Sequence, residues 1–361
     1  MRSRTAIWFE CKIAYEKVME DGLLEGTGMK ICVCGGGNLG HVVTGFMAAR
    51  GADVSLLTRR PDRWQQQISV STPDGETLKG TIGRISNRPE EVAADADMVL
   101  LCLPGYSIRE ELLHIRPFLK PGAAVGSIVS STGFFFEAME LLPPDTPLFG
   151  FQRVPFIART VEYGHSASLL GYKPTLHIAI EQTENKEPLR QAIEHLLATP
   201  TVLLGSHYEV SLTNSNPILH PSRLYTLWKD WHEGVVYPSR TFFYKEWTDE
   251  ASELLIAMDR EFFQLLRLLP VREGSIPTIL DYYESTDATS LTRKLRSIQA
   301  FKDILSPMKA MDGGFVPDFE SRYFTEDFPY GLRIIQQQAR KHQTPTPVID
   351  RVMEWGMNSI K

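Results

Sequence analysis

The chain has 361 residues, with 38 lysines and arginines against 44 aspartates and glutamates, so its formal net charge is −6. A mildly acidic chain without a long basic run is not typical of proteins that bind nucleic acids or anionic membranes, so we expect small-molecule partners. At roughly 150 residues per domain, the length predicts two domains with a cleft between them.

The cysteines and the first residues bear on the compartment in which the protein works. Cys11, Cys32, Cys34 and Cys102 are too few for a disulfide framework, which predicts a reducing, cytoplasmic location. Cys32 and Cys34 share one face of a predicted strand and are interpreted as small buried residues rather than as a thiol pair.

No apolar run reaches the roughly 18 residues of a membrane span. Residues 1–28 lack the pattern of a targeting peptide and are interpreted as an extension outside the fold or as an upstream start that is not used.

A glycine-rich turn follows the first predicted strand. From Met29 the sequence MKICVCGGGNLGHVVTGFMAARGADVSLLTRR indicates a strand, a turn, an amphipathic helix and a second strand, which together make a βαβ unit. The turn matches G-x-G-x-x-G, in which the glycines allow a tight turn, close approach of a pyrophosphate and packing of helix on strand. The helix N-terminus then offers N–H groups to the phosphates. The sequence therefore predicts a dinucleotide site in a Rossmann domain, formed by Gly35, Gly37, Asn38, Leu39 and Gly40.

The end of the second strand bears on which nicotinamide cofactor binds. An NAD-selective site usually has an acid there, but this strand ends in Thr58, Arg59 and Arg60. Arginines at this place suit the 2′-phosphate of NADP through charge-assisted hydrogen bonds. The sequence therefore predicts NADP(H) in preference to NAD(H). The alternative is that both arginines are solvated loop charges.

The remainder of the first half continues with strand and helix patterns. ISVSTPDGETLKGTIG is interpreted as a hairpin inserted in the sheet. A further strand ends at Leu103 and Pro104, which we expect to border the nicotinamide side of the cofactor. Further strands are predicted at AAVGSIVSS, PLFGFQRVPF and TLHIAIEQ, and a helix is predicted from about Lys186 to Leu197. The predicted sheet therefore has six or more strands. Gln152 or its neighbour Arg153 is a candidate ligand for the substrate.

Helical periodicity replaces the strand patterns from residue 207 onward. Apolar residues recur at three and four steps in EASELLIAMDREFFQLLRLL and TSLTRKLRSIQAF, and proline-broken loops separate the helices. The predicted fold class is therefore α/β followed by all-α, with a Rossmann domain over residues 29–206 and a helical substrate domain over residues 207–361. The apolar helices are compatible with a homodimer.

Two short motifs in the second half connect the chain to a known family. LTNSNPILHPSRLY and SRYFTEDFPYGL, together with the Rossmann half, resemble the octopine and nopaline dehydrogenase family of opine dehydrogenases. The resemblance extends from about Met29 to Tyr330. It implies a C-terminal helical domain like that of 6-phosphogluconate dehydrogenase. It also implies an oxidoreductase that condenses an amino acid with a 2-oxo acid, using a nicotinamide cofactor.

The resemblance also implies roles for individual residues. His220 would be the catalytic acid or base, Asp327 its carboxylate partner, and Arg322 the ligand of a substrate carboxylate. These roles are chemically sensible, because a carboxylate fixes the imidazole tautomer and the planar guanidinium matches a carboxylate. Glu326 is an alternative partner for the histidine, and Asn216 is a further candidate for substrate binding. Each of the first three roles has a structural alternative. His220 would only pack in a helix, Asp327 would only make a loop contact, and Arg322 would only form a surface ion pair.

Two other functions fit parts of the sequence. A ketopantoate reductase-like enzyme would share TNSNP, but the lysine expected shortly before that motif is absent from GSHYEVSLTNSNP. A non-catalytic NADP-binding redox sensor would keep the glycine-rich turn but would have no need of His220, Arg322 and Asp327. The histidine followed by Pro221, and the missing lysine, favour the opine dehydrogenase interpretation.

Overall fold

The computed structural model describes residues 28–360, which form two compact units. The first unit ends at Ser211 and the second begins at Leu212. The sequence predicts this change at residue 207, so the first unit includes one more short helix than expected. Cys11 and the predicted extension lie outside the described residues, apart from the last residue of that extension. No helix among residues 28–360 is long and apolar enough to cross a membrane.

The first unit alternates strands and helices, as the βαβ pattern predicts. In chain order its elements are β1 (Lys30–Cys34), α1 (Asn38–Ala49), β2 (Asp53–Leu57), β3 (Gln67–Ser71), β4 (Thr77–Thr81), β5 (Arg84–Ser86), α2 (Pro89–Val92), β6 (Met98–Leu101), α3 (Gly105–Ile115), β7 (Ala124–Ser127), α4 (Phe134–Leu141), β8 (Leu148–Phe151), β9 (Phe156–Glu162), β10 (Ser166–Tyr172), β11 (Leu176–Glu181), α5 (Glu187–Leu197), β12 (Thr201–Leu203) and α6 (His207–Ser211).

Eight strands form the main sheet, in the order β12-β11-β8-β7-β6-β1-β2-β5. The β8–β11 pair is antiparallel and the other neighbouring pairs are parallel. Strands β6, β7 and β8 are buried along their whole length, because helices cover both faces of such a sheet. Cys32 and Cys34 pack in the core, and Cys102 is buried as well. The chain order reverses between β1 and β6, which is where open α/β sheets form their ligand crevice.

A second sheet of four strands, β4-β3-β10-β9, packs on α1. The predicted hairpin forms its β3 and β4, so the expectation that this hairpin inserts into the main sheet was wrong. The reason is the burial pattern: both strands have one polar face, whereas a strand inside the main sheet must bury both faces. The approach to α1 is close, since a Cβ atom on Gly80 would lie 2.7 Å from the carbonyl oxygen of Gly45.

The second unit is mainly helical. In chain order its elements are α7 (Asn216–Trp228), α8 (Asp249–Leu266), α9 (Ile279–Tyr282), α10 (Ala288–Ser297), β13 (Met308–Met311), β14 (Gly314–Pro317), α11 (Arg322–Thr325), a π-helical turn (Phe328–Leu332), α12 (Arg333–Lys341) and α13 (Pro347–Ser359).

The β13–β14 hairpin is the part of this unit that the all-helical prediction missed. Asp312 and Gly313 connect the two strands, and an Asp-Gly step between short apolar segments is a recognised hairpin signal. Elsewhere the helical periodicity was a correct guide, and α8 is the longest helix of the unit. Its buried Glu261 accepts hydrogen bonds from the N–H groups of Val348 and Ile349 at 2.8 and 2.9 Å, which fixes the start of α13.

Candidate active site

The glycine-rich turn between β1 and α1 has the geometry that a pyrophosphate site needs. Gly35 has φ of +116°, and a Cβ atom there would lie 2.7 Å from the carbonyl oxygen of Cys102. A Cβ atom on Gly40 would lie only 1.9 Å from the carbonyl oxygen of Gly35. Around Gly37, in contrast, a Cβ atom would meet nothing within 4 Å, and this residue precedes the first turn of α1. The open space beside a helix N-terminus fits a phosphate group.

The turn opens into a cavity of about 820 Å³ within the first unit. Seven of the ten residues predicted to bind the cofactor line this cavity, namely Gly35, Gly37, Thr58, Arg59, Arg60, Leu103 and Pro104. Asn38, Leu39 and Gly40 do not line it. Asn38 instead accepts a hydrogen bond from the backbone N–H of Thr160 at 2.9 Å, and Leu39 packs against the core.

Glu111 and Tyr163 are among the cavity residues that were not identified from the sequence. Glu111 comes from α3, where burial raises the pKa of its carboxyl group and the charge of Arg59 offsets part of that increase. Tyr163 comes from the turn between β9 and β10. Neither residue belongs to a local motif, because each reaches the cavity through the arrangement of distant segments.

In the second unit, His220 of α7 lies between two hydrogen-bonding side chains. Its Nδ1 is 2.8 Å from Oδ2 of Asp327, and its Nε2 is 2.9 Å from the hydroxyl of Tyr244. A carboxylate can only accept, so Nδ1–H donates to Asp327 and Nε2 is left to accept from Tyr244. Burial raises the pKa of Tyr244 well above its usual range, so the tyrosine stays protonated at neutral pH. The three residues thus form a Tyr-His-Asp chain with one fixed imidazole tautomer.

Packing around the imidazole holds this chain in place. The ring of His220 meets that of Tyr323 edge-on at 4.7 Å, and Tyr244 stacks on Phe301 at 4.3 Å. Arg223, one turn after the histidine in α7, donates hydrogen bonds to the carbonyl oxygens of Phe243 and Glu246 at 3.1 and 2.7 Å.

Arg223 therefore ties the segment that carries Tyr244 to the helix that carries His220. Its side chain is buried, and burial lowers its pKa to about 10, so the guanidinium remains charged at neutral pH. A charged donor makes stronger hydrogen bonds to carbonyl oxygens than a neutral one does. Nothing in the local sequence indicated this role, since the contacts span about twenty residues of chain.

The other residues predicted to contact substrate have contacts within the protein. Arg322 is 83% exposed and forms a two-point ion pair with Glu326, at 2.9 and 3.0 Å. Glu326 thus contacts the arginine, whereas Asp327 contacts the histidine. The backbone N–H of Asn216 donates to the Asn214 side chain at 3.3 Å. In the first unit, Gln152 donates to the carbonyl oxygen of Glu209 at 3.4 Å.

Comparison with known proteins gives consistent matches over both units. Residues 203–360 match the family described as NAD/NADP octopine/nopaline dehydrogenase, alpha-helical domain, and residues 31–133 match ketopantoate reductase PanE/ApbA. Tauropine dehydrogenase of Arabella iricolor is 28% identical over 358 residues, which cover 90% of this chain and 90% of that protein. Octopine dehydrogenase of Pecten maximus is 27% identical, over 92% of this chain and 90% of that protein.

A solved structure of octopine dehydrogenase with NADH and L-arginine has a TM-score of 0.81 to this structure. Its sequence identity is 25%, over 92% of this chain and 89% of that chain. The fold and the glycine-lined cavity define a nicotinamide-dependent oxidoreductase that joins a Rossmann domain to a helical domain. Within that class the chain is an opine dehydrogenase-like enzyme, and its helical part matches the octopine/nopaline dehydrogenase helical domain.

Proposed function

We propose that the protein condenses an amino acid with a 2-oxo acid and reduces the resulting imine to a secondary amine dicarboxylate. The amine nitrogen attacks the ketone carbon, water leaves, and the imine carbon then receives a hydride. The observation that carries this proposal is the Tyr244-His220-Asp327 chain inside the octopine/nopaline dehydrogenase domain. A redox sensor without catalysis has no use for an imidazole oriented by a carboxylate.

In this proposal His220 moves the protons of the condensation. Asp327 engages Nδ1, so Nε2 is the nitrogen that takes a proton from the amine and returns it to the departing water. The hydroxyl of Tyr244 occupies the Nε2 lone pair until a substrate replaces it. The nicotinamide cofactor supplies the hydride.

Arg322 is the proposed ligand of a substrate carboxylate, with Gln152 and Asn216 as further polar contacts. Its guanidinium already forms a two-point pair with the carboxylate of Glu326, which is the geometry that a 2-oxo acid would reproduce. Substrate binding would therefore exchange one carboxylate for another at the same guanidinium.

NADP(H) is the proposed cofactor in preference to NAD(H). Arg59 and Arg60 line the cavity directly after β2, where the adenosine ribose binds in Rossmann domains. A charge-assisted hydrogen bond contributes about 1.5–3 kcal/mol, which corresponds to roughly a tenfold to hundredfold preference. Glu111 on the facing helix favours NAD(H) to some extent, because its carboxylate repels a 2′-phosphate. We expect the protein to work in a reducing compartment, in keeping with the three cysteines among residues 28–360, which are buried and free.

The test is the oxidation of NADPH, and of NADH in parallel, with a 2-oxo acid such as pyruvate, with and without a panel of amino acids. We expect oxidation to require both an oxo acid and an amine, and to be faster with NADPH at low cofactor concentration. The matched control is His220→Gln, which should bind the cofactor normally and lose about 10²- to 10⁴-fold in kcat.

Each other outcome favours a different function. Oxidation with the oxo acid alone would favour a ketopantoate reductase-like ketone reductase, a family that matches residues 31–133. Tight cofactor binding without turnover of any substrate pair would contradict catalysis by the Tyr-His-Asp chain.

A further inference from the structure

We propose that the turn between β9 and β10 is part of the cofactor site, and that the hydroxyl of Tyr163 binds the adenosine ribose end of the dinucleotide. This turn lies outside the βαβ unit that forms the recognised phosphate loop. The inference rests on a nicotinamide dinucleotide occupying the cavity. It does not depend on which of the two cofactors is preferred, or on the reaction that follows.

The first support is the position of the hydroxyl. Tyr163 lines the cavity together with the glycine-rich turn and the residues after β2. A Cβ atom on Gly36 would lie 2.8 Å from the hydroxyl oxygen of Tyr163 and 2.9 Å from Oγ1 of Thr58. The two hydroxyl groups therefore flank the middle of the phosphate loop, at the end of β2. In a Rossmann domain this is where the adenosine ribose and its 2′ substituent bind.

The second support is the way the turn is joined to the phosphate loop. The buried His41, in the first turn of α1, lies with Nδ1 2.9 Å from the carbonyl oxygen of Gly37. The backbone N–H of Gly164 donates to Nε2 of the same ring at 2.7 Å. Because Nε2 must accept that bond, Nδ1–H is the donor to Gly37. One imidazole thus links the loop that receives phosphate to the residue next to Tyr163.

The third support is the close packing of the turn. Gly164 has φ of +74°, and a Cβ atom there would lie 2.0 Å from the carbonyl oxygen of Arg63. The carbonyl oxygen of Gly164 accepts a hydrogen bond from the N–H of Gln65 at 3.0 Å. The turn is therefore fixed to the segment that follows β2, so little conformational entropy is lost when Tyr163 binds a ligand.

The surroundings of the tyrosine ring also suit an oxygen-rich, anionic ligand. The guanidinium of Arg63 lies 4.8 Å from the centre of the Tyr163 ring, and the rings of His41 and Trp64 meet it edge-on at 5.0 and 5.8 Å. These contacts hold the ring, while its hydroxyl can donate to a ribose oxygen or to a 2′-phosphate oxygen. Both acceptors share one chemistry, and the ligand fragments used in the test distinguish them.

The experiment measures dissociation constants by calorimetry for the full chain and for Tyr163→Phe. The probes are NADPH, adenosine monophosphate, adenosine 2′,5′-bisphosphate and nicotinamide mononucleotide. Tyr172→Phe is the matched control, because Tyr172 lies at the opposite end of the same β9–β10 pair and does not line the cavity. Thermal unfolding of each variant checks the fold.

We expect Tyr163→Phe to raise the dissociation constants of NADPH and of the adenosine fragments by about threefold to tenfold, because one hydrogen bond is lost. The affinity of Tyr163→Phe for nicotinamide mononucleotide should equal that of the unaltered protein. Tyr172→Phe should leave the affinities for all four ligands unchanged. A larger effect on the bisphosphate than on the monophosphate assigns the bond to the 2′-phosphate, and an equal effect assigns it to the ribose.

Unchanged affinity for both adenosine fragments would overturn the inference, as would an equal loss for all four ligands, which would indicate a purely structural role. A second variant, Tyr163→Leu, removes the ring as well and should weaken the adenosine ligands at least as much. Failure of the proposed function has a separate signature: the unaltered protein would bind NADPH but show no amine-dependent turnover.

Discussion

Asp327 and Glu326 are neighbours in the chain, but their carboxylates contact different side chains. Asp327 receives the Nδ1–H of His220, and Glu326 receives the guanidinium of Arg322. They lie where α11 passes into the π-helical turn, and consecutive residues of a helix point in directions about 100° apart. The sequence placed both acids near the histidine but could not choose between them, because the choice depends on this local rotation.

This difference predicts opposite outcomes for two conservative substitutions. Asp327→Asn should lower kcat by about 10²-fold or more, because an amide does not hold the imidazole in one tautomer. Glu326→Gln should leave kcat nearly unchanged and lower KM for the oxo acid, since Arg322 would lose its competing carboxylate. Steady-state kinetics of both variants, with cofactor affinity as the control, tests the assignment. A greater loss of kcat in Glu326→Gln would reverse it.

His41 is a second residue whose protonation state follows from its surroundings. Burial lowers its pKa below the ordinary value of 6.5, and its Nε2 must remain unprotonated to accept from Gly164. Between the lowered pKa and 6.5, the unfolded chain therefore binds more protons than the folded one. The stabilisation is complete above pH 6.5 and is lost as the pH falls through this range.

We therefore expect acid to destabilise the protein partly through this histidine. From about pH 7.5 to about pH 5.5, the free energy of unfolding in urea should fall further for the unaltered protein than for His41→Gln, which does not titrate. All other titrating groups are common to the two proteins and cancel in the comparison. Equal pH dependence in both would show that His41 does not contribute.

Among the secondary-structure elements, sequence patterns predicted the strands and helices whose burial follows from residues close together in the chain. The βαβ unit around the glycine-rich turn is correct, because two largely buried strands and the apolar helix between them leave clear patterns in the sequence. The β3–β4 hairpin was recognised but assigned to the wrong sheet, since its partner β10 follows about a hundred residues later. The β13–β14 hairpin was missed because its strands are only four residues long and each has a single buried residue.

In the turn before α1, one glycine is needed for the backbone to fold and another for the cofactor to bind, and substitutions can separate the two. Gly40→Ala should destabilise the fold by about 1–3 kcal/mol, because its methyl group would overlap the Gly35 carbonyl oxygen. Gly37→Ala should fold with unchanged stability, because its φ of −85° and open surroundings accept a methyl group. That methyl group would nevertheless stand where the pyrophosphate approaches, so NADPH affinity should fall about tenfold or more.

Urea unfolding and NADPH titration of the two variants test this separation. If Gly37→Ala binds NADPH as tightly as the unaltered protein, the pyrophosphate does not pass over Gly37.

At the scale of the whole molecule, the sequence predicted a nucleotide-binding unit followed by a helical unit, and the structure has both. From local motifs it named Gly35 and Gly37, which line the cavity, and His220, which contacts Asp327, as candidate site residues. It did not predict Tyr163, Tyr244 or Arg223, because these reach their sites through contacts between segments that are separated in the chain. Propensity and periodicity describe a segment and carry no information about its distant neighbour.

In the proposed reaction, the hydride goes to a carbon bonded to the amino acid nitrogen. The most direct test uses NADPH deuterated at its transferable position, an amino acid labelled with heavy nitrogen and an unlabelled 2-oxo acid, with mass spectrometry of the product. We expect a single secondary amine that carries both labels. Deuterium found instead in a 2-hydroxy acid without the heavy nitrogen would contradict it.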